Sequence, residues 1–153
     1  FLYYCRDAVG VGVDISTEAL KIAEENGQNL KITDRVEWRQ GDYLKAFDEE
    51  DIFDGIFSNP PYIPTKDIGG LSREVKHEPR LALDGGTDGL YFYHLLAKGA
   101  AEHLKPGGFL AVEFGIGQAT DILEMFRKSA QYEDFEVIKD YGGIERALYC
   151  RKK

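Results

Sequence analysis

Apolar and polar positions alternate in blocks along this chain, and the blocks come in two lengths. The short ones read as strands. Ala8-Val9-Gly10-Val11-Gly12-Val13-Asp14 is an apolar run ending on an acid, the pattern of a buried parallel strand. Arg35-Val36-Glu37-Trp38-Arg39 alternates with period two, and Phe53-Asp54-Gly55-Ile56-Phe57-Ser58 is a short apolar strand. Phe109–Phe114 is another buried strand. Phe135–Lys139 and Arg146–Cys150 form a last pair joined across Tyr141-Gly142-Gly143, with no helix between them, which predicts antiparallel neighbours. Phe1–Cys5 fits a strand or the tail of a helix.

The longer blocks read as helices. Ser16 or Thr17 caps the first, with Ala19, Leu20, Ile22, Ala23 and Leu30 at helical spacing and Asn26-Gly27 as its expected end. Leu90 to Leu104 is the second, stopped by Lys105-Pro106-Gly107-Gly108, and Ala119 to Ala130 the third. Gly41-Asp42-Tyr43 is a turn, and Phe47 to Asp51 a polar loop or short helix. Asn59 to Gly89, rich in Pro, Gly and charge, reads as a long loop with one short helix near Leu71–Lys76. Loops of that length are usually functional or disordered. The alternation predicts an α/β sheet with helices on both faces, in one domain spanning residues 1–153.

Composition narrows the function. With 27 Asp+Glu against 19 Lys+Arg, the chain is poorly suited to hold duplex nucleic acid through phosphate contacts. Cys5 and Cys150 are far apart, giving neither a disulfide framework nor zinc spacing, which fits a reducing cytoplasm. His77, His94 and His103 form no ligand pattern, so no metal is expected. No apolar run reaches membrane-spanning length and no start resembles a signal peptide. The chain begins on Phe1, which suggests a piece of something longer.

The chemistry gathers at strand ends, the edge where open α/β sheets bind ligands. Asp14 can accept from the two ribose hydroxyls of a nucleotide-like ligand, or simply cap the next helix. Asp42 can accept from the exocyclic amine of an adenine while Tyr43 lies on the ring, or the pair can be a plain turn. Asn59-Pro60-Pro61-Tyr62 is a stiff bend, since neither proline has an N–H. It can be only a loop start. It can also aim the Asn59 side-chain oxygen and the Pro60 carbonyl at the two hydrogens of one planar –NH2 group, with Tyr62 stacked on it. That turns the nitrogen lone pair out of plane towards an electrophile, which suits methyl transfer to an amide or aromatic amine. Glu78 reads as a substrate contact or a loop brace. Glu113 faces the same edge, with Gln118 in the following turn, and Gly142, Gly143 and Arg146 form a hairpin and its flank.

Val13-Asp14-Ile15-Ser16, Gly41-Asp42-Tyr43 and Asn59-Pro60-Pro61-Tyr62-Ile63, in that order and spacing, resemble the S-adenosylmethionine-dependent methyltransferases of Rossmann-like fold. The downstream run Glu78-Pro79, Ala82-Leu83, Gly85-Gly86, Asp88-Gly89-Leu90, then Pro106-Gly107-Gly108 and Glu113-Phe114-Gly115, is similar to the release-factor glutamine methyltransferases of the HemK/PrmC type. The resemblance covers essentially the whole chain. It implies methylation of a glutamine side-chain amide in a peptide chain release factor, with S-adenosyl-L-methionine as cofactor. Asp14 would hold the ribose, and Asp42 with Tyr43 the adenine. Asn59 would touch cofactor and substrate, and Pro60, Pro61 and Tyr62 would complete the substrate site. Asn-Pro-Pro-Tyr alone is shared with adenine-specific DNA and some RNA methyltransferases.

The departure from the family is at the start. No Gly-x-Gly-x-Gly turn precedes Asp14, and the family's helical N-terminal recognition domain has no counterpart. In the family fold the strand before that turn lies between the strand of Asp14 and that of Phe53–Ser58. The expectation is therefore a partial catalytic domain, a fragment or truncated product that binds the cofactor weakly or not at all by itself. Two other functions fit the same residues: a methyltransferase acting on the amino groups of DNA or RNA bases, and an inactive scaffold.

Overall fold

The computed structural model describes residues 1–153 and divides into two compact units, Phe1–Asp48 and Glu49–Lys153. The α/β class holds: ten helices and strands alternate largely as the apolar blocks predict, and the sheet strands are of mixed direction.

In the first unit, strand β1 (Gly10–Asp14) pairs in parallel with β2 (Val36–Gln40) across helix α1 (Thr17–Asn29). Ser16 caps α1, its hydroxyl oxygen accepting from the Ala19 N–H at 3.2 Å. Such a cap contributes on the order of 1 kcal/mol. The helix does not stop at Gly27. That glycine is buried inside it, where a Cβ would meet the Trp38 ring at 3.6 Å, and the chain turns instead at Lys31, with φ 56°. Trp38 also lies across Gly12, its partner in the β1–β2 register; a Cβ there would stand 2.3 Å from the indole, so only glycine admits the ring. The indole N–H is buried without a partner. Phe1–Cys5 is neither strand nor helix but a pair of turns. The Arg35 guanidinium organises it by donating to the carbonyls of Leu2, Cys5 and Ala8 at 2.9–3.0 Å. The expected buried character of β1 is not seen: Gly10 to Val13 are half-buried, because β1 pairs on one edge only.

The second unit is built on a sheet ordered β3-β4-β6-β5: β3 (Phe53–Ser58), β4 (Leu104–Glu113), β5 (Tyr132–Lys139) and β6 (Glu145–Lys152). β3 and β4 are parallel; β4–β6 and β6–β5 are antiparallel, as the missing helix between the last two strands predicts. Between β3 and β4 run a one-turn helix α2 (Arg80–Leu83) and α3 (Tyr91–Gly99), and α4 (Ala119–Lys128) follows β4. Instead of one short helix at Leu71–Lys76, the long loop has 3-10 turns at Ile68–Gly70 and Val75–His77. Lys105-Pro106-Gly107-Gly108 does not stop a helix. α3 ends at Gly99, a 3-10 turn carries the chain to Leu104, and the Pro-Gly segment is an irregularity inside β4, where the register with β3 jumps from Phe53↔Leu104 to Gly55↔Phe109. Gly55 makes room for the Phe109 ring, which a Cβ would meet at 2.2 Å.

The core of this unit is Tyr93, Leu96, Leu110, Val112, Phe114, Ile122, Phe126, Tyr132, Leu148 and Cys150, all essentially buried. Ala119, Ile122 and Phe126 give α4 the one-sided apolar stripe that the sheet requires. Each large side chain buried this way contributes on the order of 2 kcal/mol. The two buried tyrosines find acceptors, Tyr93 Oη donating to the Glu113 carbonyl at 2.7 Å and Tyr132 Oη to that of Leu96 at 3.1 Å. No helix is long and apolar enough to cross a membrane.

Candidate active site

The first unit brings together the three residues that the sequence assigns to a nucleotide. Asp14 ends β1 and Asp42-Tyr43 follows β2, and the Gly41 N–H donates to the Asp14 carbonyl at 3.0 Å, closing the two strand ends on each other. Gly41 permits this turn: a Cβ would come within 2.4 Å of that of Ala46. The Asp14 carboxylate takes up the helix-start role and keeps an oxygen open. Its Oδ1 accepts from the Ser16 N–H at 2.8 Å, at the start of α1, and Oδ2 is left for a ligand. Asp42 is exposed and pairs with Lys45 through Oδ2, leaving Oδ1. Tyr43 takes a left-handed conformation, φ 56°. Burial first, then the charges of Asp42 and Asp14, push its phenol pKa up, so it stays a neutral ring beside two carboxylates. Two carboxylates and a flat neutral ring at one edge are a donor-seeking, stacking site, and they fit the ribose and adenine of a nucleotide-like cofactor.

The second unit holds the Asn59–Tyr62 arm at the carboxyl end of β3. Asn59 is exposed, Pro60 fully buried, and Pro61 and Tyr62 half-buried. Pro60 anchors the arm in the core while Asn59 stays accessible, the division of labour that an orienting amide needs. After Tyr62 the arm runs beside the end of the long loop. Ile63 bridges Asp84 in parallel, with the Ile63 N–H donating to the Leu83 carbonyl at 3.0 Å and the Gly85 N–H to the Ile63 carbonyl at 2.9 Å. The glycines of this run are spacing devices. A Cβ on Gly85 would sit 2.8 Å from the Pro61 carbonyl, and one on Gly89, where φ is +80°, 2.4 Å from that of Tyr62. The run from Ala82 to Gly89 is thus the backing of the Asn-Pro-Pro-Tyr arm.

Two residues do more here than their sequence positions suggest. Glu78 was the expected brace of the long loop, but it is exposed and its side chain makes no hydrogen bond. The brace is Asp84, whose carboxylate accepts from the Thr65 hydroxyl at 2.6 Å, the Gly86 N–H at 3.1 Å and the Arg80 guanidinium at 3.2 Å. These bonds, the Thr65 hydroxyl foremost, hold its carboxyl below the usual aspartate range. Gln118, at the entry to α4, bonds to three backbone groups from three different segments, Gly115, Tyr62 and Gly89. Neither role has a local sequence signal, because each joins residues far apart in the chain. Glu113 is exposed at the end of β4, level with Ala147 on β6, and its carbonyl rather than its side chain is engaged. Asp140 holds the hairpin turn, its carboxylate accepting from the N–H groups of Gly142 and Ile144 and from Arg146.

Known proteins resemble this chain in sequence and in fold. The family model UPF0020, described as an RMKL-like methyltransferase domain, matches residues 4–67. The release factor glutamine methyltransferase of Moorella thermoacetica is 40% identical over 99% of this chain and 53% of its own length. That of Bradyrhizobium diazoefficiens is 46% identical over 95% of this chain and 48% of its own. The chain therefore spans about half the length of the curated relatives it matches. Among solved structures, a methyltransferase from Pyrococcus furiosus superimposes with a TM-score of 0.66 at 24% identity, over 93% of this chain and 61% of that one. The fold of this chain is that of a methyltransferase, and nearly its whole sequence is similar to about half of a release factor glutamine methyltransferase.

Proposed function

We propose that the whole protein is an S-adenosylmethionine-dependent N-methyltransferase whose acceptor is the side-chain amide nitrogen of a glutamine in a peptide chain release factor. The observation that carries this reading is the identity of 40–46% with release factor glutamine methyltransferases along almost the entire chain. The site geometry supports the reaction type. Asn59 is exposed on a buried Pro60 anchor, so its side-chain oxygen and the Pro60 carbonyl can take the two hydrogens of one substrate –NH2. Pro61 and Tyr62 complete the wall, with Tyr62 lying flat on the substrate amide. Held that way, the nitrogen lone pair leaves conjugation with its carbonyl and becomes a nucleophile.

S-adenosylmethionine, when bound, supplies an electrophilic methyl group. In this chain Asp14 Oδ2 would hold its ribose hydroxyls, Asp42 Oδ1 its adenine amine and Tyr43 its ring, and Asn59 would reach cofactor as well as substrate. Transfer would form the N–C bond as the methyl–sulfur bond breaks, the sulfonium leaving as a neutral thioether; the substrate nitrogen would then carry the positive charge and its protons would become acidic. One then leaves to Asn59 or to water, so no strong base is required. Orientation of this kind accounts for a rate factor of several powers of ten. Both cysteine thiols are free, which suits the cytoplasm where we place the protein.

The test is transfer of labelled methyl groups by the whole protein to release factor, to DNA and to RNA, with Asn59→Ala as the comparison. Label in a release-factor glutamine, lost with Asn59→Ala, is the expected result. Label in nucleic acid alone, or in nothing, refutes the reading.

A further inference from the structure

We infer that Gln118 is the positioning residue of the Asn59–Tyr62 arm: its side-chain amide sets the height and angle of the wall against which the substrate amide is held. This rests on the proposed function of that arm. Three segments meet at one side chain. Gln118 Oε1 accepts from the Gly115 N–H at 2.9 Å, and Nε2 donates to the Tyr62 carbonyl at 3.0 Å and to the Gly89 carbonyl at 3.4 Å. The three partners follow β4, follow β3 and close the long loop. Nothing else joins all three.

Only glutamine fits this position. The clamp needs one acceptor and two donors on a planar group at that reach, which is what a primary amide presents. Glutamate keeps the acceptor for Gly115 but sets a carboxylate against two carbonyl oxygens. Asparagine is one methylene too short. The glycines around it confirm how closely the parts are drawn together. A Cβ on Gly89 would stand 2.8 Å from Nε2, and a Cβ on Gly115 3.0 Å from Oε1 and 3.0 Å from the Tyr62 ring. Gly115 is thus the floor under that ring, and Gln118 holds the floor and the Tyr62 backbone to one another. The same residue opens α4: its own N–H donates to the Gly115 carbonyl at 3.2 Å, so its rotamer is fixed from both ends. A shift of the arm by about 1 Å is enough to cost on the order of a hundredfold in rate.

The test is Gln118→Glu, with Gln118→Met as an uncharged variant of similar length, in the whole protein. For both, kcat for methyl transfer should fall about 10- to 100-fold with the KM for S-adenosylmethionine within about twofold of the parent. Amide hydrogen exchange should quicken at residues 59–64 and 85–90 and stay unchanged in β5 and β6. A residue that only stabilised the fold would raise exchange throughout and leave the ratio of kcat to cofactor KM intact. Unchanged kcat and unchanged local exchange in Gln118→Met overturn the inference. The exchange measurement does not depend on the reaction. If the parent transfers no methyl group, the proposed function fails, while exchange at 59–64 still decides whether Gln118 holds the arm.

Discussion

Gly89→Ala separates two costs that glycine substitutions usually confound. Gly89 has φ +80° and faces three neighbours: a Cβ would lie 2.4 Å from the Tyr62 carbonyl oxygen, 2.8 Å from Gln118 Nε2 and 3.2 Å from Pro64 Cδ. Gly143, in the β5–β6 turn, has nearly the same dihedral, φ +79°, with nothing within 4 Å of the added carbon. Both alanines pay the left-handed backbone penalty of about 1 kcal/mol, and both recover the same part of it from a stiffer unfolded chain. Only Gly89→Ala adds the overlap. Relieving it moves the Tyr62 carbonyl away from Gln118, which forfeits a hydrogen bond of about 1 kcal/mol and loosens the contacts around it. The excess of Gly89→Ala over Gly143→Ala should be about 2–3 kcal/mol. Urea unfolding of the two variants beside the parent measures it, as a midpoint about 1 M lower or more for Gly89→Ala at unchanged slope. Equal midpoints for the two variants would mean that the backing run does not press on the arm, and the account of the glycines would be wrong.

Three further outcomes follow from particular contacts. Tyr93→Phe strands the Glu113 carbonyl that Tyr93 Oη now satisfies, so unfolding by urea should show a loss of about 1–2 kcal/mol. Asp84 has its carboxyl held low in the folded state, so its contribution is present above the unfolded pKa and disappears as pH falls through the lower folded value; the gap in urea midpoint between parent and Asp84→Asn should be open near pH 7 and narrow as the pH is lowered through that range. Cys5 is exposed, whereas burial pushes the Cys150 thiol up to about 12, so a thiol reagent should label one cysteine in the native chain and the second only after denaturation.

The parts of the fold that could be read from the chain are those governed by neighbours in sequence. β3 is found at its predicted residues because an apolar run meets two prolines, and Ser16 caps α1 because the cap is a local bond. Misreadings arise where a distant group decides. Gly27 looks like a helix end and is instead a seat for Trp38. Pro106-Gly107-Gly108 looks like a stop and is an irregularity inside β4, where its register with the distant β3 strand shifts. The site divides the same way. Asp14, Asp42, Tyr43 and Asn59 sit at strand ends, and their types and order were enough to place them. Gln118 lies 56 residues from Tyr62 and 29 from Gly89, and Asp84 lies 19 from Thr65, so their bonds exist only once the chain has folded.

Trp38 makes the chain its own two-channel optical instrument. It is the one tryptophan, half-buried in the first unit against Gly12 and Gly27 with its indole N–H shielded from solvent. Its emission therefore reports on the packing of residues 1–48, while far-ultraviolet dichroism is weighted towards the four-stranded sheet and three helices of residues 49–153. The first unit buries few apolar side chains, chiefly Leu20 and Ile32. A tryptophan transition at lower denaturant than the dichroism transition would show the strand ends of Asp14 and Asp42 melting away while the Asn59 arm still stands; superimposed transitions would show the two held to a single fate.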